Sequence, residues 1–144
     1  MTIPDFLEDG VLPEGVIDAN LEDIETKLSF TDRRTALVSQ LKDFIRLIPS
    51  FEGIEYILVD GSFVEDKAEP RDIDMVLVVH DLAREASLVG WVNNSHKTFK
   101  AIYGCDVYVA DEVWVNEYWL KQFGTTREKK PKGMIRLHVG AKIQ

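Results

Sequence analysis

The chain has 144 residues, enough for one domain with one hydrophobic core, and 45% of its residues are hydrophobic while 29% are charged. These proportions exclude a wholly disordered chain, and no apolar run approaches the roughly 18 residues that a membrane-spanning helix needs. The net charge of −8 argues against stable binding to DNA through bulk electrostatics. Because the chain has one cysteine and an acidic N-terminus unlike a signal peptide, we expect a cytoplasmic protein without disulfides.

The first predicted elements are an extended arm and two helices. Residues 1–19 contain two prolines and two glycines, so we predict an arm without regular structure. Asn20 then caps a short helix that ends near Lys27, and Thr31 caps a longer helix that Pro49 ends. Apolar residues recur in the longer helix at spacings of three and four, which indicates one buried face.

The rest of the chain alternates between strands and helices. Short β-branched and apolar runs predict four strands, at residues 54–59, 73–79, 105–110 and 134–139. Two further helices are predicted between them, at residues 82–100 and 112–123. This order favours an α/β (α+β) fold in which one domain, residues 1–144, forms a single mixed sheet of about four strands with helices packed on it.

Two short segments carry the residues best suited to chemistry. Gly61-Ser62 ends a strand in a tight turn, where free backbone N–H groups and a hydroxyl can hold phosphate oxygens. Asp72 and Asp74 flank Ile73 at the start of the next strand, so alternation places both carboxylates on one face. Two such charges repel unless a cation lies between them, and hard ions such as Mg²⁺ or Mn²⁺ prefer oxygen ligands.

A third carboxylate, Asp106, lies near the start of the otherwise apolar strand 105–110 and needs a partner there. If this strand neighbours the one that begins after Asp72, three carboxylates converge beside the Gly-Ser turn. That arrangement serves two-metal phosphoryl or nucleotidyl transfer. In the structural alternative, Asp72 only caps a turn after Pro70 and Asp74 is simply exposed.

The chain resembles the DNA polymerase β-type nucleotidyltransferase superfamily in its active-site signature, which consists here of Gly61-Ser62, Asp72-Ile73-Asp74 and Asp106. The resemblance covers residues 54–110, and the chain is similar in size to the minimal, single-domain bacterial members. The opening residues 11–17, with residues 21–24, also resemble an uncharacterised group of bacterial proteins assigned to that superfamily.

The resemblance implies a role for each of these residues. Asp72 and Asp74 are expected to be shared ligands of two Mg²⁺ or Mn²⁺ ions, and Asp106 a ligand of the nucleophile-side ion and a candidate base. Gly61 and Ser62 are expected to hold the triphosphate of an NTP, with ATP the expected nucleotide.

The implied activity is transfer of an NMP from the NTP to a protein, tRNA or small-molecule acceptor, with release of pyrophosphate. Family analogy suggests a toxin–antitoxin or phage-defence setting. Two alternatives stay open. One is a catalytically weak or inactive binding module of the same fold that neutralises a protein partner, and the other is a different α/β protein with coincidental motifs.

The C-terminal part of the chain is basic, because residues 125–144 carry a net +5 and leave −13 on the rest. We expect a basic loop at residues 125–133 that exposes three cations, Lys129, Lys130 and Lys132. Such a loop either packs against the acidic surface of the same chain or docks an anionic acceptor such as tRNA.

Other polar and aromatic residues are given structural roles. Asp60, just before the turn, is predicted to form that turn, with a supporting role behind the site as the alternative. His96 has no partner at ligand spacing, so we predict no metal role for it. Three aromatic residues at helical spacing are predicted to pack on the sheet, with stacking on a nucleobase as the alternative: Trp114, Tyr118 and Trp119.

Overall fold

The computed structural model describes residues 3–138 and has one open sheet. Its five strands are β1 (Gly15–Ala19), β2 (Ile54–Asp60), β3 (Ile73–Val79), β4 (Cys105–Asp111) and β5 (Gly133–Leu137). Their spatial order is β1-β5-β2-β3-β4. The pairs β1–β5 and β3–β4 are parallel, whereas β2 is antiparallel to both of its neighbours. The mixed α/β class with a single sheet is therefore confirmed.

Helices join and cover the strands. They are α1 (Leu21–Leu28), α2 (Asp32–Leu47), α3 (Ala86–Tyr103), α4 (Glu112–Trp114) and α5 (Leu120–Phe123), and a π-helical turn, Val115–Trp119, joins the last two. The side chains of Asn20 and Thr31 accept backbone N–H groups at the starts of α1 and α2, as predicted. No helix within residues 3–138 has the length and apolar composition needed to cross a membrane.

The fifth strand corrects the sequence prediction, because β1 lies inside the segment predicted as an arm without regular structure. It pairs with β5, in register from Gly15 opposite Gly133 to Ala19 opposite Leu137. A Cβ atom at Gly133 would meet the Pro13 carbonyl at 2.2 Å, so this glycine permits the close approach. The predicted end of the last strand, at residue 139, lies outside the described residues, as does the basic residue at 142.

The two faces of the sheet pack against different parts of the chain. One face contributes to the larger core under α1, α2 and α3, with buried residues that include Ile73, Met75, Leu77, Cys105 and Val107. The other face carries a smaller cluster that includes Leu58, Val76, Val78, Ala110, Val115 and Phe123. Alternation therefore assigns Asp74 and Asp106 to the second face, at the end where β3 and β4 begin.

Candidate functional site

The structure brings the three predicted carboxylates together. Asp74 of β3 lies opposite Asp106 of the parallel strand β4, and Asp72 precedes Asp74 by two residues, so all three belong to one face. The Nζ atom of Lys100, on α3, lies 3.7 Å from Asp72 Oδ2 and 4.0 Å from Asp106 Oδ2. One cation therefore lies near a carboxylate of β4 and near the carboxylate that immediately precedes β3.

The pKa of the Asp74 carboxyl is raised in the folded protein. Burial, and after it the charges of Asp72 and Asp106, raise this pKa from 3.8 to about 6. Lys100 and Lys132 act in the opposite direction but do not cancel the rise in pKa. A face with this surplus of negative charge favours an additional cation.

The Gly-Ser turn borders Asp74 directly. Gly61 has φ 85° and ψ −169°, a conformation that side-chain-bearing residues rarely adopt, and residues 62–64 form one 3-10 turn. A Cβ atom at Gly61 would lie 2.5 Å from Asp74 Oδ2. Both the backbone conformation and this contact therefore require glycine, whose missing Cβ lets the turn lie against the carboxylate site.

A buried ion pair lies beside the turn and corrects one prediction. Lys132, expected as an exposed docking residue, is 3% exposed, and its Nζ lies 2.8 Å from Asp60 Oδ1 and 3.5 Å from Glu65 Oε2. The residue precedes β5, and its N–H donates to the Gly124 carbonyl, which directs this end of the loop inward. Burial raises the pKa of Asp60 to about 7, against the lowering effect of Lys132.

The other two docking candidates, Lys129 and Lys130, are exposed in the loop between α5 and β5. Lys129 has φ 62°, in the left-handed region. The loop folds back on itself, because the Lys129 and Thr126 N–H groups donate to the carbonyls of Thr126 and Lys130 respectively. Acceptor docking by these two lysines stays a prediction.

Two residues of α3 that the motif analysis did not assign to the site also reach it. His96 Nε2 lies 3.0 Å from Asp106 Oδ1, and its Nδ1 lies 3.1 Å from the Val107 carbonyl oxygen. Lys100 follows His96 by four residues, so both lie on one side of α3. The spacing of the pair was visible in the sequence, but the packing of α3 beside the edge strand β4 was not.

The donor set fits a hard divalent cation in its chemistry. Asp106 Oδ1 is buried, and although His96 Nε2 lies 3.0 Å away, no donor in the described part of the chain reaches this oxygen with hydrogen-bond geometry. The neighbours of Asp106 across the strands are carboxylates. Within residues 3–138, no three His, Cys, Asp or Glu side chains are arranged as a finished metal site. Metal binding would therefore require side-chain rotation and displacement of Lys100 from Asp72 and Asp106.

Comparison with known proteins places the chain in a family. Residues 4–138 match the model of a family described as "Family of unknown function (DUF6932)". The chain belongs to DUF6932. No curated protein matches it in sequence, and no solved structure matches it. The DUF6932 match includes every residue of the carboxylate site, and any function must be inferred from the geometry of that site.

Aromatic rings continue the DUF6932 site along the second face. Tyr108 is exposed and follows Asp106 by two residues. The ring centroid of Trp119 lies 4.9 Å from the centroid of the Tyr108 ring and 4.9 Å from the centroid of the Tyr118 ring. Trp119 packs against the smaller core cluster as predicted. Trp114 and Tyr118 were predicted to pack on the sheet as well, but they are 55% and 44% exposed because they lie on the outer side of the helical segment.

Proposed function

We propose that this chain is a metal-dependent nucleotidyltransferase with the DNA polymerase β-type fold. It would transfer an NMP from an NTP, with ATP the expected nucleotide, to a protein, tRNA or small-molecule acceptor. The observation that carries the proposal is the grouping of Asp72, Asp74 and Asp106 on one face, with Gly61 packed against Asp74. Three clustered acids raise the energy of the folded state, so a structural role alone does not account for them.

Each residue has a defined task in this proposal. Asp72 and Asp74 would hold two Mg²⁺ or Mn²⁺ ions in common, and Asp106 would bind the ion on the nucleophile side. When bound, these ions neutralise the triphosphate and acidify the acceptor hydroxyl. The backbone N–H groups of the turn at Gly61 and Ser62 would hold the phosphate oxygens.

The transfer step balances with the groups that are present. The acceptor oxygen forms a bond to the α-phosphorus while the bond from that phosphorus to the bridging oxygen breaks, and pyrophosphate leaves. Asp106 accepts the acceptor's proton, and His96 Nε2 lies 3.0 Å from that carboxylate. The rings of Tyr108 and Trp119 provide a surface on which the base can stack.

The acceptor is the least defined part of the proposal. The exposed Lys129 and Lys130 suit an anionic acceptor such as tRNA, and they lie in the loop that ends at the buried Lys132. A toxin–antitoxin or phage-defence setting enters by analogy with the superfamily.

One observation favours a second candidate, a binding module of the same fold that neutralises a protein partner. Lys100 Nζ already lies within 4.0 Å of Asp72 and Asp106, so a side chain partly balances the charge that a metal ion would balance. In that reading the carboxylates are held by Lys100 permanently, and the chain acts by binding alone.

The two candidates are separated by a transfer assay. The purified chain is incubated with each α-³²P-labelled NTP, Mg²⁺ or Mn²⁺ and host lysate, and labelled acceptors and released pyrophosphate are measured. We expect label transfer by the parent and by Asp9→Asn, an exposed control, and none by Asp74→Asn. Absence of transfer with all four NTPs and both metals contradicts the enzyme proposal.

A further inference from the structure

Two buried cations flank the Gly-Ser turn, and the proposed chemistry uses neither of them. Lys132 is 3% exposed and Arg34 is 0% exposed, which is rare for such side chains. Lys132 comes from the segment before β5 and Arg34 from α2, so distant parts of the chain meet at residues 60–67.

Lys132 joins the two ends of the turn. Its Nζ lies 2.8 Å from Asp60 Oδ1 and 3.5 Å from Glu65 Oε2, and these two acids directly precede and follow residues 61–64. One ammonium group therefore fixes the distance between the start and the end of the turn.

Arg34 holds the turn from the other side through backbone carbonyls. Its guanidinium donates to Phe63 O at 2.7 Å, to Ser62 O at 3.3 Å and to Glu65 O. It also donates to Lys67 O at 2.8 Å. Because these carbonyls face Arg34, the carbonyl side of the turn is fixed toward the protein interior.

The position of the turn also determines the position of the carboxylate site. Asp60 is the register partner of Asp74, and Gly61 is so close to Asp74 that a Cβ atom there would lie 2.5 Å from Oδ2. A displacement of the turn would therefore move its N–H groups and the Asp74 carboxylate relative to each other.

We propose that Lys132 is a positioning residue that holds the Gly61–Val64 turn in register with Asp74, so that the turn can bind phosphates. The role assigned to the phosphates rests on the proposed function, whereas the positioning of the turn does not. Arg34 supports the same turn but is too deeply bound to allow a clean test, since its loss removes several hydrogen bonds at once.

Two variants test the proposal without leaving either Asp60 or Lys132 buried and without its closest partner. Glu65→Gln weakens one of the two contacts, and the double variant Asp60→Asn with Lys132→Met removes both partners of the buried pair while preserving their size. Lys121→Met, on the exposed surface of α5, is the matched control.

Two measurements are made on each variant. Hydrogen exchange is measured at the Val64 and Glu65 amides, whose N–H groups donate to carbonyls within the turn. Calorimetry compares the binding affinity for Mg-ATP with the binding affinity for adenosine, which lacks phosphates.

The expected result is local and specific to phosphate. Both test variants should exchange the turn amides about tenfold faster than the parent, the change that the loss of one charged contact produces, while amides of α1 keep their rates. Mg-ATP affinity should fall by a similar factor, adenosine affinity should not change, and the Lys121 variant should match the parent.

Three results separate this proposal from the nucleotidyltransferase proposal. Unchanged exchange in the turn overturns the positioning role. An equal loss of Mg-ATP and adenosine affinity also overturns it, because that loss indicates general damage to the fold. If the parent binds neither ligand, the proposed enzyme function fails, and the exchange comparison alone decides whether Lys132 positions the turn.

Discussion

Replacing Asp74 with asparagine should stabilise the metal-free protein at pH 7. The pKa of Asp74 is raised from 3.8 to about 6, first by burial and then by the charges of Asp72 and Asp106. A carboxyl with a raised pKa contributes stability below its unfolded value of 3.8, and that contribution is lost as pH rises through about 6. Asparagine keeps the neutral state at every pH, so it avoids this loss.

The size of the gain follows from the same pKa difference. A rise from 3.8 to about 6 corresponds to about 3 kcal/mol at neutral pH. Asp74 is partly exposed, and screening by water reduces this figure to about 1–2 kcal/mol. In a chain of 144 residues, this free energy raises the midpoint of thermal unfolding by about 3–6 °C.

Thermal unfolding followed by circular dichroism at pH 4 and pH 7, with chelator present, measures this effect. We expect Asp74→Asn to raise the midpoint of thermal unfolding at pH 7. At pH 4 the increase should be small, because Asp74 of the parent is already protonated in the folded state. The exposed control Asp9→Asn should match the parent at both values. A variant no more stable than the parent at pH 7, or equally stabilised at both values, refutes the reasoning.

Three further predictions concern neighbouring residues. Asp106→Asn should lower the transfer rate by about 100-fold or more, because it removes the base and a metal ligand, and an unchanged initial rate would rule out both roles. Lys132→Met alone should cost about 1–3 kcal/mol in urea unfolding, since the buried Asp60 carboxyl loses its partner, and adding Asp60→Asn should recover part of it; no recovery would contradict the pairing. Neutralising Lys129 and Lys130 should lower kcat/KM for the acceptor several-fold more than it lowers NTP affinity, and equal effects would exclude docking by the loop.

The features that the sequence predicted well are those that depend on near neighbours. The alternation of Asp72, Ile73 and Asp74 directs both carboxylates to one face of a strand, whatever lies beside it. Asn20 and Thr31 cap helices through backbone groups only three residues away. Such contacts form between residues close in the sequence and do not depend on the rest of the fold.

Features that depend on distant contacts could not be predicted in the same way. β1 is a strand because it pairs with β5, more than a hundred residues later. Its five residues give a mixed signal, because Val16 and Ile17 favour a strand whereas the other three do not. In the sequence, Lys132 is one of several lysines in a basic loop, and only the fold brings Asp60 and Glu65 next to it. His96 lies at the site because α3 runs beside β4, and its residue spacing alone does not show this.

The most direct test of the central claim is to count bound Mn²⁺ by electron paramagnetic resonance, with and without a non-hydrolysable ATP analogue. If Asp72, Asp74 and Asp106 form a divalent-cation site, the parent and Asp9→Asn should bind Mn²⁺ saturably, with a second ion when the analogue is present. Asp74→Asn should lose this binding. Absence of saturable Mn²⁺ binding by the parent under both conditions, or equal binding by the Asp74 variant, would contradict the account.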